Sequence, residues 1–213
     1  MTERYGALFD LDGVLVDTEG SYSHFWGEMG RRYRPDIPGF DMVVKGTTLP
    51  DILRRYFSNP DVSEPICAEL EKFEARMTYP LFDGVMAFLA DLRAHGIPAA
   101  IVTSSGADKM KRIFDGNPEF ASFFDALVTS ADVSRSKPDP ECYLTGARKL
   151  GMEIGDCYVF EDSINGLASG MASGATVIGL STTLPAAELR GRAHLLIPSL
   201  SGFTVDRMLA VTR

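Results

Sequence analysis

The sequence predicts an α/β fold: a doubly wound, Rossmann-like parallel sheet with an all-helical segment inserted after its first strand. Three observations carry this prediction. Short apolar runs recur along the chain and are continuous rather than alternating, which suits strands covered on both faces. Between them lie helical stripes bounded by capping residues and glycines. The stretch 18–80 breaks that alternation, with helical patterns and no convincing strand.

Taken in order, Tyr5-Gly6-Ala7-Leu8-Phe9 reads as a buried strand that runs into a turn at Asp10-Leu11-Asp12-Gly13. The inserted stretch has loop signals at 35–39, 46–50 and 58–65. It is expected to form a small helical domain over 18–80, against a body of 1–17 and 81–213 whose two connections, near Thr18 and Pro80, are neighbours. Asp83 is the expected N-cap of a helix carrying Val85, Phe88, Leu89 and Leu92 on one stripe and stopped by Gly96. Strands follow at 97–103 and 125–129. Asp139-Pro140 opens the next helix, with Tyr143, Leu144, Ala147 and Leu150 turned inward and Gly151 after it. A strand at 157–160 precedes a helix opened by Ser163 and closed by Gly174. Its glycines at 166, 170 and 174 predict close helix packing. Strands at 176–180 and 195–197 complete the sheet.

The 213 residues allow one domain with a modest insertion. With 45% hydrophobic and 23% charged residues, the composition excludes wholesale disorder. A net charge of −8 disfavours nucleic acid and anionic membranes as partners, so an anionic substrate needs a local site. Cys67, Cys142 and Cys157 are too few and too scattered for a disulfide scaffold and suit a reducing compartment. Met1-Thr2-Glu3-Arg4 shows no signal pattern, and the apolar runs are too short for a bilayer. The expectation is a cytoplasmic protein, monomeric or weakly self-associating. P-loop and dinucleotide fingerprints are absent.

Asp10 and Asp12 lie two apart at a strand end, so both carboxylates leave one side of the chain. So placed, one carboxylate holds a proton unless a cation intervenes. The pair reads either as a structural turn or as a nucleophile beside a proton donor. A calcium loop starting at Asp10 fails, because Val14 and Ser21 fall where ligands are required. Glu161-Asp162 ends another apolar run and brings a second acid pair to the same sheet edge. Alone it reads equally as helix capping; with the first pair it points to an all-oxygen site for Mg²⁺. Thr103-Ser104-Ser105-Gly106 ends a strand before a helix, the place for an N-cap or a phosphate. Lys137 sits in Ser136-Lys137-Pro138-Asp139-Pro140, a loop held extended by its prolines.

The four motifs, in this chain order, resemble the haloacid dehalogenase superfamily. They are similar to its phosphatase and beta-phosphoglucomutase branch, in which a helical cap follows the first strand. The resemblance implies that Asp10 attacks the substrate phosphorus, and that Asp12 protonates the leaving oxygen and later deprotonates water. It implies Mg²⁺ held by Asp10, the Asp12 main-chain carbonyl and Asp162, with Glu161 near or coordinating. Thr103 and the Ser104 amide would hold phosphoryl oxygens, with Ser105 and Thr18 among the substrate contacts, and Lys137 would balance charge. Dehalogenation is rejected, since a departing halide needs no proton and leaves Asp12 without a task.

The inserted domain decides between phosphatase and mutase. Val44-Lys45-Gly46-Thr47-Thr48-Leu49 resembles the mutase cap segment, which makes Lys45 and Gly46 candidate substrate contacts. That branch carries an arginine where this chain has Leu49 and a histidine where it has Tyr22. The reading favoured is a Mg²⁺-dependent phosphatase of a small phosphorylated metabolite, with a sugar phosphate as one candidate. Beta-phosphoglucomutase is the alternative and pyrophosphate hydrolysis a third. A non-catalytic binding protein is opposed by the intact Asp10, Asp12, Lys137 and Asp162.

Overall fold

Six parallel strands form one sheet in the order β3-β2-β1-β4-β5-β6. They are β1 (Gly6–Phe9), β2 (Ala99–Val102), β3 (Ala126–Val128), β4 (Cys157–Glu161), β5 (Thr176–Leu180) and β6 (Leu195–Ile197). Between β1 and β2 run α1 (Glu19–Tyr33), α2 (Phe40–Val44), α3 (Leu49–Tyr56), α4 (Pro60–Glu74) and α5 (Val85–Ala94). Helices α6 (Ala107–Gly116) and α7 (Pro118–Ala121) lead to β3, α8 (Glu141–Leu150) to β4, α9 (Ile164–Ser173) to β5 and α10 (Ala186–Leu189) to β6, and α11 (Val205–Leu209) follows. This computed structural model describes residues 4–44 and 47–212.

The chain builds β1, β2 and β3 outward in one direction, then returns to place β4 on the other side of β1. The order therefore reverses between β1 and β4, the position where open α/β sheets bind ligands. Every residue of β1, β2, β4 and β5 is buried, as their unbroken apolar sequences require.

The pleat sorts the strand residues onto two faces. Leu8, Val102, Val159 and Val177 meet Tyr143 and Ala147 of α8 and Leu167 of α9. On the other face Phe9 stacks on Phe160, its partner in register, with ring centroids 4.5 Å apart, and Phe88 of α5 meets both edge-on. Such aromatic pairs add about 0.5–1.5 kcal/mol each beyond the area they bury.

Two helix readings are corrected. Asp83 is exposed and the N-cap of α5 is Gly84, which turns left-handed (φ 88°) against the backbone of Ser201. A Cβ at Gly84 would lie 2.5 Å from Ser201 Cα, so a residue with a side chain cannot take that place. Leu144 is 40% exposed rather than inward. One helical step of about 100° carries it off the stripe formed by Tyr143, Ala147 and Leu150. Asp139 does open α8, accepting the Glu141 N–H at 3.0 Å, and Ser163 caps α9 by accepting from the Gly166 N–H. Gly166 and Gly170 approach β4 side chains, whereas Gly174 serves as the left-handed C-cap.

The chain divides into two compact units, residues 1–17 with 80–213, and residues 18–79. In the larger unit, the Asp17 N–H donates to the Pro80 carbonyl at 2.8 Å and Val16 bridges Leu81, so the two connecting strands are neighbours. The smaller unit, α1 to α4, has its own core of Phe25, Trp26, Met29, Phe40, Ile52, Phe57, Ile66 and Leu70.

Candidate active site

The site lies at the carboxyl ends of β1, β2 and β4. Register fixes it: Phe9 pairs with Ile101 on one side and Phe160 on the other. The next residue, Asp10, donates its N–H to the Phe160 carbonyl at 3.0 Å and so emerges level with Glu161. Three side chains, Asp10, Glu161 and Asp162, place carboxylate oxygens within 4.8 Å of one another.

Lys137 reaches in from the loop before α8, across a cis peptide bond to Pro138. Its ammonium donates to Asp10 Oδ1 at 2.5 Å, to Glu161 Oε1, and to the Val102 carbonyl at 3.3 Å. Glu161 is fully buried, and its two oxygens accept from five donors: Lys137 Nζ, the Tyr143 hydroxyl at 2.6 Å, the Asp162 and Ser163 amides, and the Ser163 hydroxyl. It therefore anchors the lysine as well as standing among the acids.

Two glycines make room for this crowding. A Cβ on Gly13 would lie 2.0 Å from Asp162 Oδ2, and one on Gly166 would lie 1.9 Å from the Glu161 carboxyl carbon. Gly13 also turns through φ 81°, which returns the loop so that the Gly13 N–H meets the Val16 carbonyl.

Charge is unbalanced here. Two like charges 4.8 Å apart repel by roughly 3.5 kcal/mol at an effective dielectric constant near 20. Three carboxylates share one ammonium, so a proton or a further cation has to relieve them. Burial pushes the Asp10 carboxyl up to about 7, with Lys137 opposing and Glu161 and Asp12 adding to the rise. Burial, then the charges of Glu161 and Asp10, hold Asp162 well above the usual carboxylate range. For Lys137, burial pulls downward, but Asp10 and Glu161 overcome it and the ammonium is held above the ordinary lysine value. Buried carboxylates that offer only oxygen ligands suit a hard divalent cation such as Mg²⁺.

The other predicted residues are placed as follows. Asp12 stands beside Ser105, whose hydroxyl donates to Asp12 Oδ2 at 3.1 Å. Thr103 is buried at the end of β2, and its Oγ1 accepts the Ser105 N–H at 3.0 Å, while Ser104 is exposed. Thr18 belongs to the helical unit, where it precedes α1 and is fully buried. Lys45 and Gly46 lie outside the described residues.

One residue escaped the sequence reading. Lys109 of α6 donates to both oxygens of Asp12 at 2.7 Å. A signal for it existed. It is the third residue of a helix that starts at a strand's carboxyl end, and helical side chains lean back toward the N-terminus, here toward the site.

Acids that can share so small a space only with a proton or a cation between them, and a lysine locked between two of them, suit an enzyme that handles anionic groups. The chain belongs to the haloacid dehalogenase-like hydrolase family, whose pattern matches residues 7–180. It is an enzyme of that hydrolase family, and its relatives include phosphatases and a mutase. Among curated relatives, hexitol phosphatase A of Escherichia coli (strain K12) is 33% identical, covering 95% of this chain and 94% of its own. Validoxylamine A 7'-phosphate phosphatase of Streptomyces hygroscopicus subsp. limoneus is 32% identical over 92% and 93%. A beta-phosphoglucomutase of Mycobacterium bovis is 27% identical over 85% and 82%. Among solved structures, a family IA, variant 3 hydrolase from Entamoeba histolytica superimposes with a TM-score of 0.83 at 26% identity, covering 97% of this chain and 98% of that one. No helix among the described residues is long and apolar enough to cross a membrane.

Proposed function

We propose that the protein is a Mg²⁺-dependent phosphatase of a small polyhydroxylated phosphate ester, of the sugar-phosphate or hexitol-phosphate class, acting through an aspartyl phosphate on Asp10. The observation that carries this reading is the Lys137 ammonium held against Asp10 at the end of β1, beside Asp162 at the end of β4. A carboxylate so placed is oriented and electrostatically tempered for attack on an anionic phosphorus. The names of two relatives above 30% identity, both phosphatases, support the substrate class.

In the first half of the reaction, an Asp10 carboxylate oxygen bonds to phosphorus as the ester P–O bond breaks, and Asp12 gives its proton to the departing alkoxide. In the second, water attacks that phosphorus, Asp12 takes the proton, and the bond to Asp10 breaks, which releases inorganic phosphate. Ester and water become alcohol and phosphate, and both aspartates return to their starting state. Thr103 and the Ser104 amide hold phosphoryl oxygens, and Ser105 steadies Asp12. Lys137 offsets charge on Asp10 and the phosphoryl group. Asp10, the Asp12 carbonyl and Asp162, with Glu161 near, would hold Mg²⁺, which neutralises negative charge on the transferring group. Glu161 keeps Lys137 in position. The free cysteines, of which Cys142 and Cys157 are buried, fit a reducing cytoplasm.

Phosphatase is preferred to mutase because Leu49 and Tyr22 replace the arginine and histidine expected of the mutase branch. Phosphate release is measured over sugar, hexitol and nucleoside phosphates and pyrophosphate with Mg²⁺, beside a coupled assay for glucose 1-phosphate isomerisation. The reading predicts hydrolysis of a sugar or hexitol phosphate that Asp10→Asn abolishes. Isomerisation faster than hydrolysis would overturn it in favour of a mutase.

A further inference from the structure

We infer that Lys109 is a positioning residue for Asp12, fixing the orientation in which that carboxylate meets the leaving oxygen; this rests on the proton-transfer role proposed above. A lysine is rarely buried without cause. Lys109 is 5% exposed, yet its ammonium lies 2.7 Å from both oxygens of Asp12, whose own side chain is 32% exposed. The Ser105 hydroxyl adds a third bond at 3.1 Å. Three bonds from one loop-to-helix junction define the plane of the carboxylate, which stays partly exposed. That junction begins with Thr103 and Ser104, the proposed phosphate grip. The group proposed to hold the phosphoryl oxygens and the group that aims the acid thus lie on one continuous segment, the turn after β2 and the first turn of α6. A proton donor acts only when its oxygen lies within hydrogen-bond reach of the leaving atom, and misplacement by about 1 Å can cost on the order of a hundredfold in rate.

A lysine that merely stabilised the fold would lower turnover of every substrate alike. A positioning lysine instead matters most where the leaving group needs a proton. Lys109→Met is compared with wild type by kcat/KM, which reports on the steps through first P–O cleavage, using an alkyl phosphate such as a hexitol phosphate and p-nitrophenyl phosphate. The expected loss is roughly tenfold to a hundredfold for the alkyl ester. For p-nitrophenyl phosphate, whose leaving group departs with little protonation, it is at most about threefold. Inhibition by inorganic phosphate should be unchanged, and Lys109→Arg should recover part of the loss, since a guanidinium also grips two oxygens.

Equal losses on both esters, or none on either, would overturn the inference. Should Lys109→Met not fold, Ser105→Ala removes the third bond and should show the same bias toward the alkyl ester; a flat response there would overturn it equally. Asp10→Asn separates the two levels. If wild type shows no turnover sensitive to that change, the proposed function falls and the inference with it. If turnover is sensitive to it but the Lys109 variants respond uniformly, the inference alone falls.

Discussion

The Lys137 ammonium and the Glu161 carboxylate are bonded to each other although one comes from a loop and the other from the last residue of β4. Glu161 is fully buried, so its charge has no water to fall back on if Lys137 is lost. This contact ties the electrostatics of the site to the stability of the sheet.

Replacing Lys137 with Met should expose that tie. It leaves Asp10 and Glu161 as uncompensated acids in the interior, and removing one partner of a buried pair costs about 3–5 kcal/mol. Urea unfolding at pH 8 should show a loss of this order, and phosphate release should fall at least about a hundredfold. A variant as stable and active as wild type would contradict the role of the pair.

Asp10 predicts a pH dependence. Its carboxyl is pushed up to about 7 by burial, above its ordinary value of 3.8. The folded state therefore holds this proton more tightly than the unfolded chain, and the associated stability is fully present below 3.8 and lost as pH rises through 7. Protons also compete with a cation for the same oxygens. The rise in melting temperature caused by Mg²⁺ should be small at pH 5, larger at pH 8, and greatly reduced in Asp10→Asn at both. A Mg²⁺ effect that shrinks as pH rises would count against this.

Glu141 shows the opposite sign. Hydrogen bonds from the Ser134 amide and hydroxyl, and from Arg135, hold its carboxyl down at about 2, against an ordinary 4.5. Its contribution is present above 4.5 and lost as pH falls toward 2. The residues it fastens flank the loop that carries Lys137. Glu141→Gln should flatten the acid limb of a stability-versus-pH curve between those values; an unchanged limb would refute the assignment.

Gly166→Ala should be costly for its type. The added Cβ would lie 1.9 Å from the Glu161 carboxyl carbon, and overpacking of this kind costs about 1–3 kcal/mol. Gly116→Ala, at the end of α6 with nothing within 4 Å, should change stability by no more than about 0.5 kcal/mol. Thermal unfolding of the two variants side by side tests the contrast, and similar values would show that the crowding around Glu161 is not real.

Much of the fold was legible because its sheet is buried on both sides. β1, β2, β4 and β5 each read as an unbroken apolar run, and sequences of that kind have few alternatives. The acids of the site were visible for a related reason: they stop those runs abruptly at Asp10 and at Glu161. Side chains set by long-range contacts were not legible. Gly84 took the cap from Asp83 because of Ser201, more than a hundred residues away in sequence. Lys109 was missed because its place in the first turn of a helix after a strand is only a weak signal, and its partner Asp12 lies 97 positions earlier.

The central claim is that Asp10 itself carries the phosphoryl group during turnover. Acid quenching of the enzyme with Mg²⁺ and an excess of a hydrolysed substrate, followed by mass analysis of its peptides, tests this most directly. One phosphoryl group should appear on the peptide containing Asp10 and be absent from Asp10→Asn. Turnover that proceeds with every peptide unmodified, or that survives in Asp10→Asn, would contradict it.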